Sequence, residues 1–217
     1  NNYPLYSALF LSYGIGQASI SKLLHATLPI LASIFKRFIP NQFPEFPITS
    51  LLSNLIIGAV DGTLHKINKP SSMQSLDYNG HYERHGIGTQ LLVDFRGIII
   101  AFKTNIHGTM HDGCVGTYNT LFKRILGLNF AIADTAYNGN SNIVAGLTAP
   151  QIRSPIDKAF DRISRSEQVI VEHVNAHIKS PVILDKHTSF RHSKDKLVWA
   201  IFIVLGMYNW KKGVKIK

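Results

Sequence analysis

The chain has 217 residues, of which 45% are hydrophobic, and Lys plus Arg outnumber Asp plus Glu by 23 to 13. That is enough apolar material for one well-filled core with at most a small appendage, and it argues against disorder. One cysteine, Cys114, excludes an internal disulfide framework and any multi-cysteine zinc site, and it is expected to be buried and inert.

The excess of positive charge is uneven, because residues 151–217 carry 13 basic against 6 acidic side chains. The C-terminal third is therefore the expected polyanion face. No signal peptide is legible: Tyr3 to Tyr13 is apolar but has neither a basic start nor a small-residue cleavage site. The longest apolar run, Leu197 to Tyr208, falls short of the about 20 residues that span a bilayer and reads as a buried helix, so no membrane is expected. The chain begins Asn-Asn without methionine, a start that fits a fragment.

In chain order, a short apolar helix stops near Gly14, and residues 15–38 carry a helical pattern with Ser19 or Ser21 as candidate caps. Helix, glycine turn and second helix suit either a partial helix-turn-helix or a plain helical hairpin. Pro40, Pro44 and Pro47 then end a helical segment of residues 1–50. From residue 55 the pattern turns to short β runs. Leu55–Asp61 is expected as a buried strand, and Gly86–Phe95 with Ile98–Lys103 as a hairpin about Arg96-Gly97. A helix over Asp112–Gly127, a strand over Asn129–Asp134, a further strand over Asn142–Thr148 and helices over 155–180 and 193–210 complete a layered α/β pattern.

Three acids stand out in a chain with few of them. Asp61 in Val-Asp-Gly-Thr and Asp134 in Ala-Asp-Thr-Ala-Tyr each follow an apolar run, where open α/β sheets gather ligands. Side-by-side strands would bring the two together. On the 155–180 helix, Ile163, Ile170, Val174 and Ile178 share one face, and Arg165, Gln168, Glu172 and Lys179 form an opposed polar stripe, which is either solvated or laid over the site. Glu167 competes with Glu172 for the third position. Two strand acids and one helical acid suit a pair of Mg²⁺ or Mn²⁺ ions, hard cations that take oxygen ligands and clamp a phosphodiester. Zinc fits less well. His107 with His111, and His173 with His177, lack a third ligand, and Glu172 precedes both helical histidines, unlike a metalloprotease motif.

From about Ile57 to Trp210 the chain resembles the DDE-type transposase domain of the Harbinger/PIF group. The matching pieces are Val60-Asp61-Gly62-Thr63, Tyr78-Asn79-Gly80-His81 with the Gln90–Gly97 hairpin, Gly108-Thr109-Met110-His111-Asp112, Ala133-Asp134-Thr135-Ala136-Tyr137, and Arg165 through Val171-Glu172 to Ile178-Lys179. The family places a small residue four positions and a lysine seven positions after its glutamate. Ala176 and Lys179 satisfy this for Glu172, whereas Glu167 would put Val174 at the lysine position. Asn175 stands where the family usually has an aromatic residue.

The resemblance implies an RNase H-like mixed five-stranded sheet flanked by helices over residues 51–217, and metal-dependent DNA cleavage with strand transfer. Asp61, Asp134 and Glu172 would be both catalytic and metal-holding, on two Mg²⁺ or Mn²⁺ ions. Lys158, Arg165 and Lys179 are the candidate DNA contacts, and His111 and Asp112 would support the ligands or face DNA. It further implies a nuclear location, a separate Myb-like DNA-binding partner and self-association. A domesticated, catalytically silent DNA-binding or adaptor protein is the alternative, and a ribonuclease with the same acids is a third reading.

Overall fold

The computed structural model of the chain describes residues 12–42, 55–114, 120–181, 184 and 193–216. Strand β1 (Ile56–Lys66) lies at its centre, with Ile57, Ala59 and Val60 wholly buried. It pairs antiparallel with β3 (Arg84–Asp94), from Gly58 opposite Asp94 to Lys66 opposite Gly86. On its other side it pairs parallel with β5 (Phe130–Ala133), only as far as Ala59 opposite Ile132. Strand β6 (Ile143–Ala145) continues the parallel side. Strand β4 (Ile99–His107) and the short β2 (Tyr78–Asn79) both pair with β3. The result is the mixed, helix-flanked sheet expected of an RNase H-like fold, with β2 as an added short strand.

β1 runs five residues beyond the expected end at Asp61, because Gly62–Lys66 keep pairing with Gly86–Gln90. Polar residues at 61, 63 and 65 hid this continuation. The β3–β4 turn is held by a buried acid: Asp94 Oδ1 accepts from Arg96 N and Ile98 N, both at 2.9 Å, and Gly97 takes the left-handed φ of 79° that the turn requires.

Helices cover both sheet faces. Against one lie α4 (Pro155–Ile178) and α5 (Lys194–Lys211), whose Val171, Val174, Ile178, Leu197 and Ile201 meet Ala59, Leu91 and Val93. Against the other lies α3 (Thr120–Leu126), with Phe122, Ile125 and Leu126 on Val60, Leu92 and Ile100. The short α2 (Gln74–Asp77) precedes β2. Helix α4 starts at a capping box: Ser154 Oγ accepts from Asp157 N at 3.1 Å, Asp157 Oδ2 accepts from Ser154 N at 2.8 Å, and Pro155 fills the first position.

At the other end of the chain, α1 (Gln17–Lys36) packs along α5. Its N-cap is Gly16 with no side-chain bond, so Ser19 and Ser21 sit inside the helix and do not cap it. Gly206 permits the close approach, since a Cβ there would lie 2.1 Å from the Phe35 carbonyl oxygen. Ala18–Lys36 is long and apolar enough to cross a membrane by length and composition alone, and Leu23 and Ile30 on it are exposed. Buried Asn209 locks the assembly: its Oδ1 accepts from Ile99 N at 3.0 Å, and its Nδ2 donates to Ile99 O at 2.7 Å and to Phe38 O at 3.0 Å.

Two local expectations change. Cys114 is exposed. The helix expected over Asp112–Gly127 is helical at 112–114 and over Thr120–Leu126, with 115–119 outside the described residues.

Candidate active site

β1 and β5 part company just where the two strand acids stand. Their pairing ends at Ala59 and Ile132, Asp61 follows on β1, and Asp134 follows the last residue of β5. A crevice between diverging strands is thus flanked by two carboxylates. Asp134 also caps the single turn Thr135–Tyr137, accepting from Ala136 N at 3.0 Å, which fixes its direction. Asp61 Oδ1 accepts from Gly62 N at 2.8 Å and Oδ2 from Asn175 Nδ2 at 2.7 Å.

Above them opens a cavity of about 580 Å³, whose lining includes Asp61, Thr63, Tyr82, Gln90, Asp112 and Asp134 and, among the described residues, no lysine or arginine. Burial foremost, with the charges of Asp134 and Asp112, pushes the Asp61 carboxyl up to about 6 against the two hydrogen bonds that lower it. Asp112 is also raised, by burial and then by Asp134, while His111 and His81 pull it back. Beneath them, the buried Gln90 Nε2 donates to the Asp112 carbonyl and to the Tyr137 hydroxyl, each at 3.0 Å. Burial first, and then Asp112, Asp61 and Asp134, keep that phenol protonated.

The sequence candidates separate into two sets. Asp61, Asp134 and Asp112 share the cavity, and His111 lies exposed in its lining. Glu172 is exposed on α4 and does not line the cavity, and Glu167 is exposed as well. The face of α4 turned to the sheet carries Asp161, Ser164, Val171, Val174, Asn175 and Ile178, whereas Ile163, expected on the apolar face, is 60% exposed. Of the basic candidates, Lys158 is exposed, Arg165 Nε donates to Asp161 Oδ2 at 2.7 Å, and Lys179 is half-buried at the end of α4 near His65.

Among the described residues, neither histidine pair belongs to a cluster of three candidate ligands. His107 Nδ1 lies 3.2 Å from the buried Asp77 carboxylate, which Lys194 also meets, and His177 Nδ1 lies 2.9 Å from the His173 carbonyl oxygen. Among the described residues, no three His, Cys, Asp or Glu side chains close on a common point. The residues suited to a cation are Asp61 and Asp134. They offer only oxygen and face one cavity, the charge of Asp134 adds to the cost of ionising Asp61, and the described lining holds no ammonium or guanidinium, the donor chemistry of a hard divalent ion.

Asn175, whose amide holds Asp61, is the contact of the site that sequence reasoning missed. Its signal was an amide inside the stripe Val171, Val174, Ile178, a place where a polar group needs a partner. Gln90, in the middle of an apolar strand, carried the same signal.

A family model described as DDE superfamily endonuclease matches residues 60–209, from the last buried residue before Asp61 to the Asn209 clamp. The chain is also 25% identical over 221 residues to the probable transposase for insertion sequence element IS702 of Microchaete diplosiphon, a match covering 98% of this chain and 77% of that protein. No solved structure matches it. By that family match over most of its length, the chain belongs to the DDE superfamily endonucleases.

Proposed function

We propose that this chain is a transposase that cuts DNA phosphodiester bonds with the help of Mg²⁺ or Mn²⁺ and joins the freed 3′-hydroxyl to a target strand. The observation that carries it is the pair Asp61 and Asp134, on neighbouring parallel strands, facing one cavity that no lysine or arginine lines among the described residues. DNA as the substrate is supported by the name of the similar IS702 protein.

Asp61 and Asp134 would hold the divalent ions. Such ions lower the pKa of bound water and stabilise charge on the scissile phosphate. Asn175 and the Gly62 N–H orient Asp61, and Ala136 N orients Asp134. Glu172 is the third acid in this reading. It stands three residues before Asn175 on α4, a spacing that makes the two neighbours on the helix surface, about 5–6 Å apart between Cβ atoms. Membership of the Harbinger/PIF group, with a nuclear location, a Myb-like partner and self-association, rests on the motif order from Val60 to Lys179.

The test is cleavage of labelled duplex DNA with Mn²⁺ or Mg²⁺. Asp61→Asn, Asp134→Asn and Glu172→Gln should each abolish it with the fold retained, and Glu167→Gln should stay active. A folded wild-type chain that cuts neither intact nor pre-nicked DNA with either metal would overturn this reading and favour the silent DNA-binding alternative.

A further inference from the structure

The loop after β4 brings Asp112 into the cavity of the two strand acids, and two glycines make room for it. A Cβ on Gly62 would lie 2.3 Å from Asp112 Oδ1, so this carboxylate packs directly on the residue whose N–H holds Asp61. A Cβ on Gly113 would lie 2.3 Å from the Ala136 carbonyl oxygen, which seats the same loop on the turn capped by Asp134. Gln90 Nε2 fixes the Asp112 backbone from below at 3.0 Å. Within the described residues the Asp112 carboxylate accepts no hydrogen bond, although it is half-buried.

A second observation points to a ligand in this cavity. Thr63, 7% exposed, and Gln90, 1% exposed, both line it, and Thr63 Oγ1 and Gln90 Oε1 have no hydrogen-bond partner. Buried oxygens left unpaired beside three repelling carboxylates are suited to a hydrated cation, which brings positive charge and water donors together. Among the described residues the three carboxylates do not themselves close on one point.

We propose that Asp112 is a third carboxylate ligand of the divalent ion held by Asp61 and Asp134, and that in the absence of DNA it fills this role in place of the exposed Glu172. The assignment rests on the metal-dependent reading above. It makes the loop from His107 to Asp112 part of the ion site and leaves Glu172 to engage when DNA is bound.

The experiment is Mn²⁺ titration of the full chain without DNA, followed by the electron paramagnetic resonance signal of free Mn²⁺. Asp112→Asn should weaken binding at least about tenfold, as should Asp61→Asn, while Glu172→Gln stays within about twofold of wild type. Gly62→Ala, whose methyl takes the space of Asp112 Oδ1, should weaken binding with Asp112 still present. Circular dichroism confirms the fold of each, and Asp112→Ser replaces the Asn variant should that one misfold. Wild-type affinity in the Asp112 variant, with loss in Asp61→Asn, overturns the proposal and leaves the metal-dependent reading standing. Weakening by Glu172→Gln but not by Asp112→Asn does the same. A folded wild-type chain that binds no Mn²⁺ overturns both.

Discussion

Asn175 Nδ2 donates to Asp61 Oδ2 at 2.7 Å, joining α4 to the central strand across 114 residues of chain. With Gly62 N on the other oxygen, the carboxylate is held from two sides. Removing the amide takes away one of the two bonds that lower the Asp61 pKa, so more of the acid is protonated at a given pH. Asn175→Ala should therefore move the acid limb of the cleavage pH profile upward by about one pH unit. Asn175→Asp, placing a like charge there, should move it further. An acid limb unmoved in both variants would mean that Asn175 only fills space.

Asp61 carries a cost in the metal-free protein. Its carboxyl is raised from 3.8 to about 6, so stabilisation present at low pH is lost as pH rises through that window. Asp61→Asn is expected to gain on the order of 1–2 kcal/mol above pH 6.5 and nothing near pH 4. Thermal melts at the two pH values, without divalent metal, check it.

His65 works in the opposite direction. Burial, and then the charge of Lys179, lower it from 6.5 to about 3, so the stability that its neutral form allows is present above pH 6.5 and falls away as pH drops toward 3. His65→Leu should flatten that acid slope. The urea midpoint of His65→Leu relative to wild type should rise between pH 7 and pH 4, because only wild type loses stability through the His65 titration.

Asn209→Leu removes both partners of Ile99 N and O in the core. Leaving those backbone groups unpaired should cost roughly 2–4 kcal/mol and lower Tm by roughly 5–15 °C. Calorimetry on the metal-free chain measures this directly.

Binding of duplex DNA should weaken steeply with salt, by about 0.9 in log–log slope for each phosphate neutralised. Exposed Lys158 should give a clean loss of about one such contact on Lys158→Ala. Arg165 is already bonded to Asp161, so Arg165→Ala should change the slope by less. Equal slopes for wild type and Lys158→Ala in fluorescence anisotropy would move the DNA face off α4.

Much of the sheet was legible because buried strands declare themselves by apolar runs: Ile56–Val60, Leu91–Val93, Ile99–Phe102 and Phe130–Ala133 are all expected and found. Asp61 and Asp134 come together because β1 and β5 pair, a strand order that the apolar runs allowed and did not fix. What stayed hidden depends on partners far off in sequence. The continuation of β1 through Thr63 and His65 is set by pairing with β3, which local polarity does not report. The sheet-facing side of α4 was misjudged because Asp161, Ser164 and Asn175 are polar yet buried, each position decided by what lies opposite. Helical spacing alone ranked Ile163 as core, though nothing covers it among the described residues.

The three hydrogen bonds of Asn209 span the ends of α1, β4 and α5, and Gly206 presses α5 onto the last turn of α1. Helix α1 is therefore stitched into the same cooperative unit as the sheet, and its final turn and the amide of Ile99 should exchange hydrogen with solvent only through openings that share a free energy. A protein shortened to begin after residue 50 would lose that protection at Ile99 first, because the Asn209 amide that holds Ile99 would no longer be tied to Phe38.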